Sequence, residues 1–165
     1  MKIITRYTLL ILLIFPHSRA FAHSKEKNYD VIVYGGTSAG VIAAYTAKQL
    51  GKSVLLIEPG NRIGGLTTGG LGYTDIGNKY AIKGLSLDFY RKIGQHYGGF
   101  EQWVFEPHVA ENILLAYLKR ANVEVWYQHR IVSAKKSNGK INSIVLEESD
   151  HPSPGTNKIV SAKMF

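Results

Sequence analysis

Hydrophobic and polar residues alternate along the first half of the chain in segments that predict a strand, a helix and a second strand. Four β-favouring residues, Val31–Tyr34, lead into a glycine-rich turn and then into a small-residue segment typical of a helix. Gly51 predicts a left-handed helix end, and Ser53–Ile57 predicts a short buried strand. Small residues recur along one predicted face of the helix, which we expect to lie close to a sheet: Gly40, Ala43, Ala44 and Ala47.

The second half begins with two amphipathic segments. Leu85–Tyr97 carries Leu85, Phe89 and Ile93 at a spacing of four, which predicts a packed helix. A longer apolar stripe begins after Pro107, a residue suited to the first turn of a helix, and Asn122 predicts a left-handed end. His108 lies in that first turn, where it is either a substrate contact or a local brace.

The last third of the chain has the period of strands. Val123–Gln128 predicts another strand of the sheet, and Asn138-Gly139 predicts a type I′ turn between Ile131–Lys136 and Lys140–Glu147. A polar loop then leads to a third strand from Lys158. The chain is therefore expected to be an α/β protein that contains a β-meander.

The turn after the first strand is a candidate anion site. A strand, a tight turn and a helix start present unpaired N–H groups and the positive end of the helix dipole, which most often bind a nucleotide diphosphate. Gly35 and Gly40 fill the first and last positions of the dinucleotide-binding pattern, but Thr37 occupies the middle one. Thr37 either keeps a phosphate at a distance or donates its hydroxyl to it. The alternative is an ordinary βαβ unit with a tight turn.

Glu58 and a second glycine cluster extend this pattern. Glu58 follows the second strand, 18 residues beyond Gly40, where a carboxylate can accept hydrogen bonds from ribose hydroxyls. Gly64-Gly65 and Gly69–Gly72 then make a loop so dense in glycine that its backbone is expected to pack against a large flat ligand. The alternative is a mobile surface loop.

Three motifs together resemble the FAD-dependent oxidoreductases built on the glutathione-reductase-type FAD fold: Gly35–Gly40, Glu58 with Gly64-Gly65, and Gly69–Asp75. Within that group the chain is most similar to an exported family whose members often carry Thr at the middle glycine position. Glu106–Glu111 is also similar to a segment of that family. The resemblance covers Tyr29–Phe165 and implies a Rossmann-like FAD-binding domain with a parallel sheet and an inserted β-meander, incomplete at its C-terminus.

The resemblance also implies roles for individual residues. Glu58, with Pro59 beside it, would bind the adenosine ribose, and the backbone of Ile131 would bind the adenine, with Arg130 or Val132 as the register alternatives. The pyrophosphate would be held by Gly35, Gly36, Thr37, Ser38, Ala39 and Gly40. The diphosphate would pass toward the flavin along Gly64, Gly65, Leu66 and Thr67. Tyr73 and Asp75 would either lie near the isoalloxazine or brace their loop.

Composition limits the remaining possibilities. With 165 residues, of which 45% are hydrophobic, the chain can bury one ordinary core. The absence of cysteine excludes disulfides, a redox cysteine pair and thiolate metal sites, so redox chemistry requires a cofactor. The formal net charge is +8, but the basic residues are scattered and form no stripe for nucleic acid. No metal site is predicted.

The first 22 residues resemble a secretory signal. Lys2 and Arg6 precede or flank an apolar run that ends at Pro16, and Ala20-Phe21-Ala22 has the small-x-small form of a cleavage site. A membrane anchor is the alternative, but the run is shorter than the about 20 residues that a span requires. We therefore expect a signal at 1–22, a short linker at 23–29, the FAD-binding part at 30–165, and a protein that is exported to the periplasm or beyond without a stable membrane anchor.

The expected function is FAD-dependent oxidation or reduction of a small organic substrate, such as a carbohydrate derivative, by hydride transfer to or from the flavin. The chain ends inside an apolar strand at Phe165, so it is expected to be the inactive N-terminal portion of a longer enzyme, with the catalytic residues elsewhere. One alternative is a truncated chain that binds nucleotide poorly or not at all and catalyses nothing. Another is an NAD-binding dehydrogenase module, which explains Gly35–Glu58 but neither Gly64-Gly65 nor the meander. Oligomeric state is left open.

Overall fold

A computed structural model of the chain describes residues 27–165. Strands and α-helices are interspersed up to Trp126, and the last three strands follow without an α-helix between them. The helices are α1 (Ser38–Gln49), α2 (Gly84–His96) and α3 (Pro107–Ala121). The strands are β1 (Lys27–Tyr34), β2 (Val54–Ile57), β3 (Glu124–Trp126), β4 (His129–Ser137), β5 (Lys140–Glu148) and β6 (Lys158–Met164). Single 3-10 turns occur at Gly65–Thr67, Lys79–Ala81 and Pro154–Thr156.

All six strands form one sheet in the order β3-β2-β1-β6-β5-β4. β1 lies between β2 and β6 and pairs in parallel with both, and β2 pairs in parallel with β3. β5 pairs antiparallel with β4 and β6, which makes the predicted meander. The chain therefore has the predicted Rossmann-like α/β fold with a parallel sheet and a β-meander.

The strand β2 is buried on both faces, which explains its continuous run of four apolar residues. Val54 and Leu56 point toward the helices and pack with Val41, Leu114 and Tyr117 in one core cluster. The alternate residues of β2, Leu55 and Ile57, point to the opposite face. There they pack in a second cluster with residues of the meander: Ile144 and Leu146 of β5 and Val160 of β6.

Local sequence signals correctly predicted several turns. Asn122 ends α3 with φ 52°, and Gly51 follows α1 with φ 76°. Asn138 and Gly139 have φ 50° and 76°, as the type I′ turn between β4 and β5 requires.

Two sequence-based expectations require correction. The face of α1 that meets the sheet contains Gly40, Val41 and Ala44, whereas Ala43 is exposed. The buried arc is centred between Gly40 and Val41, so a residue three positions after Gly40 falls beside it rather than within it. β3 is shorter than predicted, because Gln128 adopts φ 54° and the chain turns into β4.

The predicted signal at 1–22 and residues 23–26 of the predicted linker lie outside the described residues, while residues 27–29 form the start of β1. Within 27–165, no helix is both long and apolar enough to cross a membrane. The same part of the chain contains no group of three or more His, Asp or Glu side chains that could hold a metal ion.

Candidate functional site

The turn between β1 and α1 is a close approach of two backbone segments. Gly35 has φ 104° and donates its N–H to the carbonyl of Ile57 at 2.8 Å. A Cβ at Gly40 would lie 2.0 Å from the carbonyl oxygen of Gly35, so only glycine fits the start of α1 here. The turn therefore brings the N-terminus of α1 directly against the carboxyl end of β1, at the edge where open α/β sheets bind ligands.

Thr37 is the N-cap of α1. Its hydroxyl oxygen accepts the N–H of Gly40 at 3.1 Å, and its methyl group faces the space beside Gly65. An oxygen that accepts this bond keeps its own proton for a further acceptor. The first turn of α1 contains no acidic residue, so nothing there opposes a bound anion.

Glu58 connects the turn to the loop that follows β2. One carboxylate oxygen accepts the N–H of Gly36 at 2.6 Å, and the other accepts the N–H of Gly60 at 2.7 Å. An ionised carboxylate has about four acceptor positions. Glu58 is therefore fixed in place by two backbone donors and retains acceptor capacity for two more, such as a pair of ribose hydroxyls.

The second glycine loop is hydrogen-bonded to the first. Gly64 donates its N–H to the carbonyl of Gly36 at 2.6 Å and forms an isolated parallel bridge with Thr37. The Ser38 hydroxyl contacts both the Gly64 carbonyl at 3.1 Å and the Thr67 hydroxyl at 2.7 Å. Gly64 itself has φ 99°, and a Cβ there would lie 2.1 Å from the Thr68 side chain. The two glycine motifs thus form one continuous surface.

The start of β4 lies along the other side of Glu58. Gln128 donates its N–H to the carbonyl of Gly60 at 2.9 Å, and His129 donates to the carbonyl of Glu58 at 3.3 Å. The N–H of Ile131 points to the hydroxyl of Tyr34 at 3.4 Å. Strand β4 therefore brings the predicted adenine-binding position to the end of β1, near the predicted ribose-binding carboxylate.

The structure thus brings Gly35–Gly40, Glu58, Gly64–Thr67 and Ile131 to one edge of the sheet. Pro59 is half-buried beside Glu58, and Leu66 is 76% exposed at the end of the second loop. Tyr73 is also exposed and forms an isolated bridge with Val104. His108 is exposed in the first turn of α3. Within the described residues, no contact connects it to this edge.

Three further residues of the site were missed from the sequence. Tyr34 ends β1 and contacts Ile131, as described above. Arg62 pairs with Glu111 of α3, with Nη2 and Oε2 2.6 Å apart, and so fixes the segment before Gly64 to a helix. The one local signal for Tyr34 in the sequence is an aromatic residue directly before the glycine turn, whereas the Arg62 pair joins residues 49 apart and had none.

Two other features surround this edge. A groove of about 770 Å³ runs along the exposed face of α1 toward α2, and Ser38 and Thr67 lie among its mainly apolar lining. Between β3 and β4, partial burial, followed by the charges of Glu111 and Glu58, raises the pKa of Tyr127. That phenol therefore remains neutral beside the two carboxylates. Neither feature supplies an activated nucleophile.

Comparison with known proteins identifies the family of the chain and its cofactor. A sequence profile described as FAD dependent oxidoreductase matches residues 30–165. The chain belongs to the FAD dependent oxidoreductase family. Its cofactor is FAD. No curated protein matches the chain significantly.

Solved structures share the fold of this family member. A geranylgeranyl bacteriochlorophyll reductase-like protein from Thermoplasma acidophilum is 24% identical, with a TM-score of 0.56 over 84% of this chain and 38% of its own. Bacillithiol disulfide reductase Bdr from Bacillus cereus is 19% identical, with a TM-score of 0.58 over 84% of this chain and 39% of its own.

A 3-ketosteroid-delta4-(5alpha)-dehydrogenase from Rhodococcus jostii RHA1 is 15% identical, with a TM-score of 0.56 over 90% of this chain and 47% of its own. The chain therefore spans less than half the length of each of these three proteins. At these identities the likeness concerns the fold alone.

The residues present fit FAD. Helix geometry gives the first N–H groups of α1 no partner within the helix; Thr37 accepts that of Gly40, and the N–H groups before it remain for a diphosphate. Thr37 adds a hydroxyl next to them, and Glu58 keeps free acceptor positions. The site thus offers donors to the anionic part of FAD and acceptors to its ribose.

Proposed function

We propose that this chain is the FAD-holding part of an oxidoreductase that transfers hydride between a small organic substrate and the flavin. The observation that carries the proposal is the position of Glu58, held by Gly36 and Gly60 at the end of β2. This carboxylate lies beside a helix N-terminus without acidic residues. A carboxylate and an anion site in this arrangement match the ribose and the diphosphate of a dinucleotide.

In this proposal each segment of the edge binds one part of the cofactor. The diphosphate binds at the turn Gly35–Gly40, to the N–H groups that Ile57, Glu58 and Thr37 do not already accept, and to the hydroxyl of Thr37. Glu58 accepts the hydroxyls of the adenosine ribose, and the backbone of Ile131 binds the adenine. Gly64–Thr67 continues from the diphosphate toward the flavin, and the Ser38 contacts hold that loop in place.

When bound, the flavin supplies the redox chemistry, and this chain's residues bind and orient it. Hydrogen bonds to backbone groups and to the carboxylate of Glu58 hold the adenosine half of FAD. The position of the flavin ring is then determined by the held adenosine end of the molecule. The general acid or base, and the walls of the substrate site, belong to parts of the enzyme beyond this chain. The proposal includes a carbohydrate-derived substrate, which fits an exported enzyme. It also includes the glutathione-reductase type of FAD-binding domain.

A titration tests whether this chain binds FAD. The protein that begins at His23 is mixed with increasing FAD, and quenching of flavin fluorescence is recorded together with the absorbance spectrum. We expect a saturable yellow complex, and we expect Glu58→Ala to weaken it at least tenfold, because the ribose loses its acceptor. Glu101→Ala is the matched control, since it removes a carboxylate from the segment between α2 and α3, where Glu101 pairs with Lys79.

The same assay with NAD in place of FAD separates the two dinucleotides. Saturable binding of NAD with no binding of FAD would refute the assignment of FAD to this site. If the chain binds neither FAD nor NAD, the proposed function of this edge is refuted.

Export is a separate part of the proposal and has its own test. It rests on the charged start, the short apolar run and the cleavage-like residues within 1–22. We expect the protein from a periplasmic or secreted fraction to begin near His23 when its N-terminus is sequenced. A mature protein that retains Met1–Ala22 in the cytoplasm would contradict it.

A further inference from the structure

Tyr34 occupies a position for which strand packing alone gives no reason. It is the last residue of β1 and lies beside Ile57 in the parallel pairing with β2. Its side chain is on the same face as Ile32, which is buried against the meander, yet Tyr34 itself is 45% exposed. A large aromatic residue thus stands at the open end of the strand, directly before the turn that binds the diphosphate in our proposal.

The hydroxyl of Tyr34 meets the outer edge of β4. β4 is the last strand of the sheet, and only β5 pairs with it. Successive N–H groups of a strand point to opposite sides, so those of His129 and Ile131 share the side away from β5. The first is accepted by the carbonyl of Glu58 at 3.3 Å and the second by Tyr34 Oη at 3.4 Å. Both distances exceed the usual N–H to oxygen separation of about 2.9–3.0 Å.

The phenol has unused hydrogen-bonding capacity at this place. Its oxygen accepts from Ile131, and among residues 27–165 this is the one hydrogen bond that its hydroxyl makes. A tyrosine hydroxyl can accept and donate at once, so its proton is available to an acceptor outside the protein. The backbone of Glu58 and the hydroxyl of Tyr34 bond to neighbouring N–H groups of the same edge of β4, those of His129 and Ile131, so a ligand that extends from Glu58 along this edge reaches the hydroxyl.

We propose that Tyr34 binds the adenosine half of FAD, with its hydroxyl donating to an acceptor nitrogen or oxygen of the nucleoside while its oxygen holds the N–H of Ile131. The inference rests on the proposed function of the edge and extends it to a side chain. Tyr34 then contributes to the preference for FAD over FMN, because FMN lacks the adenosine that this hydroxyl contacts. Adenine ring nitrogens are suitable acceptors for the hydroxyl of Tyr34.

Tyr34→Phe tests this role with the least change in shape. Dissociation constants for FAD, ADP and FMN are measured by fluorescence and calorimetry on the chain as it exists. We expect Tyr34→Phe to weaken FAD and ADP by about threefold to tenfold, the value of one lost hydrogen bond, and to leave FMN unchanged. Tyr80→Phe is the matched control, because Tyr80 is 76% exposed and lies outside this edge.

A second variant separates the hydroxyl from the ring. Tyr34→His keeps a donor on an aromatic side chain, and we expect it to recover part of the affinity that Tyr34→Phe loses. Circular dichroism spectra and melting temperatures confirm that each variant is folded before its affinity is compared.

The possible results are distinct. Unchanged FAD and ADP affinity in Tyr34→Phe overturns the role of Tyr34, and so does an equal loss for FMN. In both cases FAD binding by the unaltered chain leaves the proposed function intact. If the unaltered chain binds no FAD, the proposed function itself fails, and the role of Tyr34 fails with it.

Discussion

Glu58→Gln is the substitution that examines the edge of the sheet most directly. The carboxylate accepts two backbone N–H groups, those of Gly36 and Gly60, at 2.6 Å and 2.7 Å. Glutamine has nearly the same shape but one oxygen and one NH2 group. One of the two glycine N–H groups must therefore face a donor, and the bond that remains is to a neutral oxygen.

The magnitude depends on which glycine loses its acceptor. Gly36 is buried, whereas Gly60 is exposed and can turn to water. The glutamine oxygen is therefore expected to face Gly36, and the loss amounts to one charge-assisted bond with water as its replacement. Such a loss costs about 1–2 kcal/mol, toward the lower part of the range for charged hydrogen bonds. In a domain of this size it corresponds to a fall of about 2–8 °C in melting temperature.

Thermal unfolding followed by circular dichroism measures this change, and a flavin titration on the same samples measures the affinity for FAD. Glu101→Gln is the control, since it removes an equal charge from the segment between α2 and α3. A Glu58→Gln protein that melts at the wild-type temperature would refute the conclusion that this carboxylate holds the two loops. A melting temperature lowered equally in both variants would assign the effect to net charge.

Three other substitutions address separate elements. Gly40→Ala places a Cβ 2.0 Å from a backbone carbonyl, where 3.4 Å is ordinary contact, so we expect loss of about 3 kcal/mol or more in urea unfolding and weak FAD binding. Partial burial raises the pKa of Asp88, but hydrogen bonds from Lys92 and Tyr117 outweigh it and lower that pKa below 3.8. Stability from ionised Asp88 is therefore complete above pH 3.8 and lost as the pH falls further, so the deficit of Asp88→Asn in pH-dependent melting is expected to shrink below that value. Asn122→Val forces a β-branched residue to adopt φ 52°, and a loss of about 1 kcal/mol relative to Asn122→Gly is expected in the same melting assay.

Much of the fold follows from local sequence signals. Asn138-Gly139 predicts its own turn because both residues tolerate positive φ, and Pro107 and Asn122 mark the two ends of α3 in the same way. The glycine turn after β1 is also local, since strand, turn and helix follow one another within a dozen residues. In each case the physical cause lies in the residues that carry the signal.

Other features depend on packing between distant segments, and the sequence does not display them. The contact of Tyr34 with Ile131 joins residues 97 apart and exists because the meander returns over the face of β1 and β2. The exposure of Ala43 depends on which side of α1 the sheet covers. Helical spacing alone predicts the centre of the covered side only to within about one residue. The roles of the site residues in binding FAD stay predictions that the titrations above address.

The hydrogen bond from Gly64 to Gly36 and the bridge between Gly64 and Thr37 have a consequence for how quickly the cofactor is captured. These contacts lock both glycine loops during folding, so little conformational entropy is left to be lost when FAD arrives. An association rate near the diffusional range for small ligands, without a slow rearrangement phase in stopped-flow traces, is the expected kinetic signature. In the proposed route of export, the protein crosses the membrane unfolded and meets FAD only afterwards, and a binding edge that is already assembled then favours its capture.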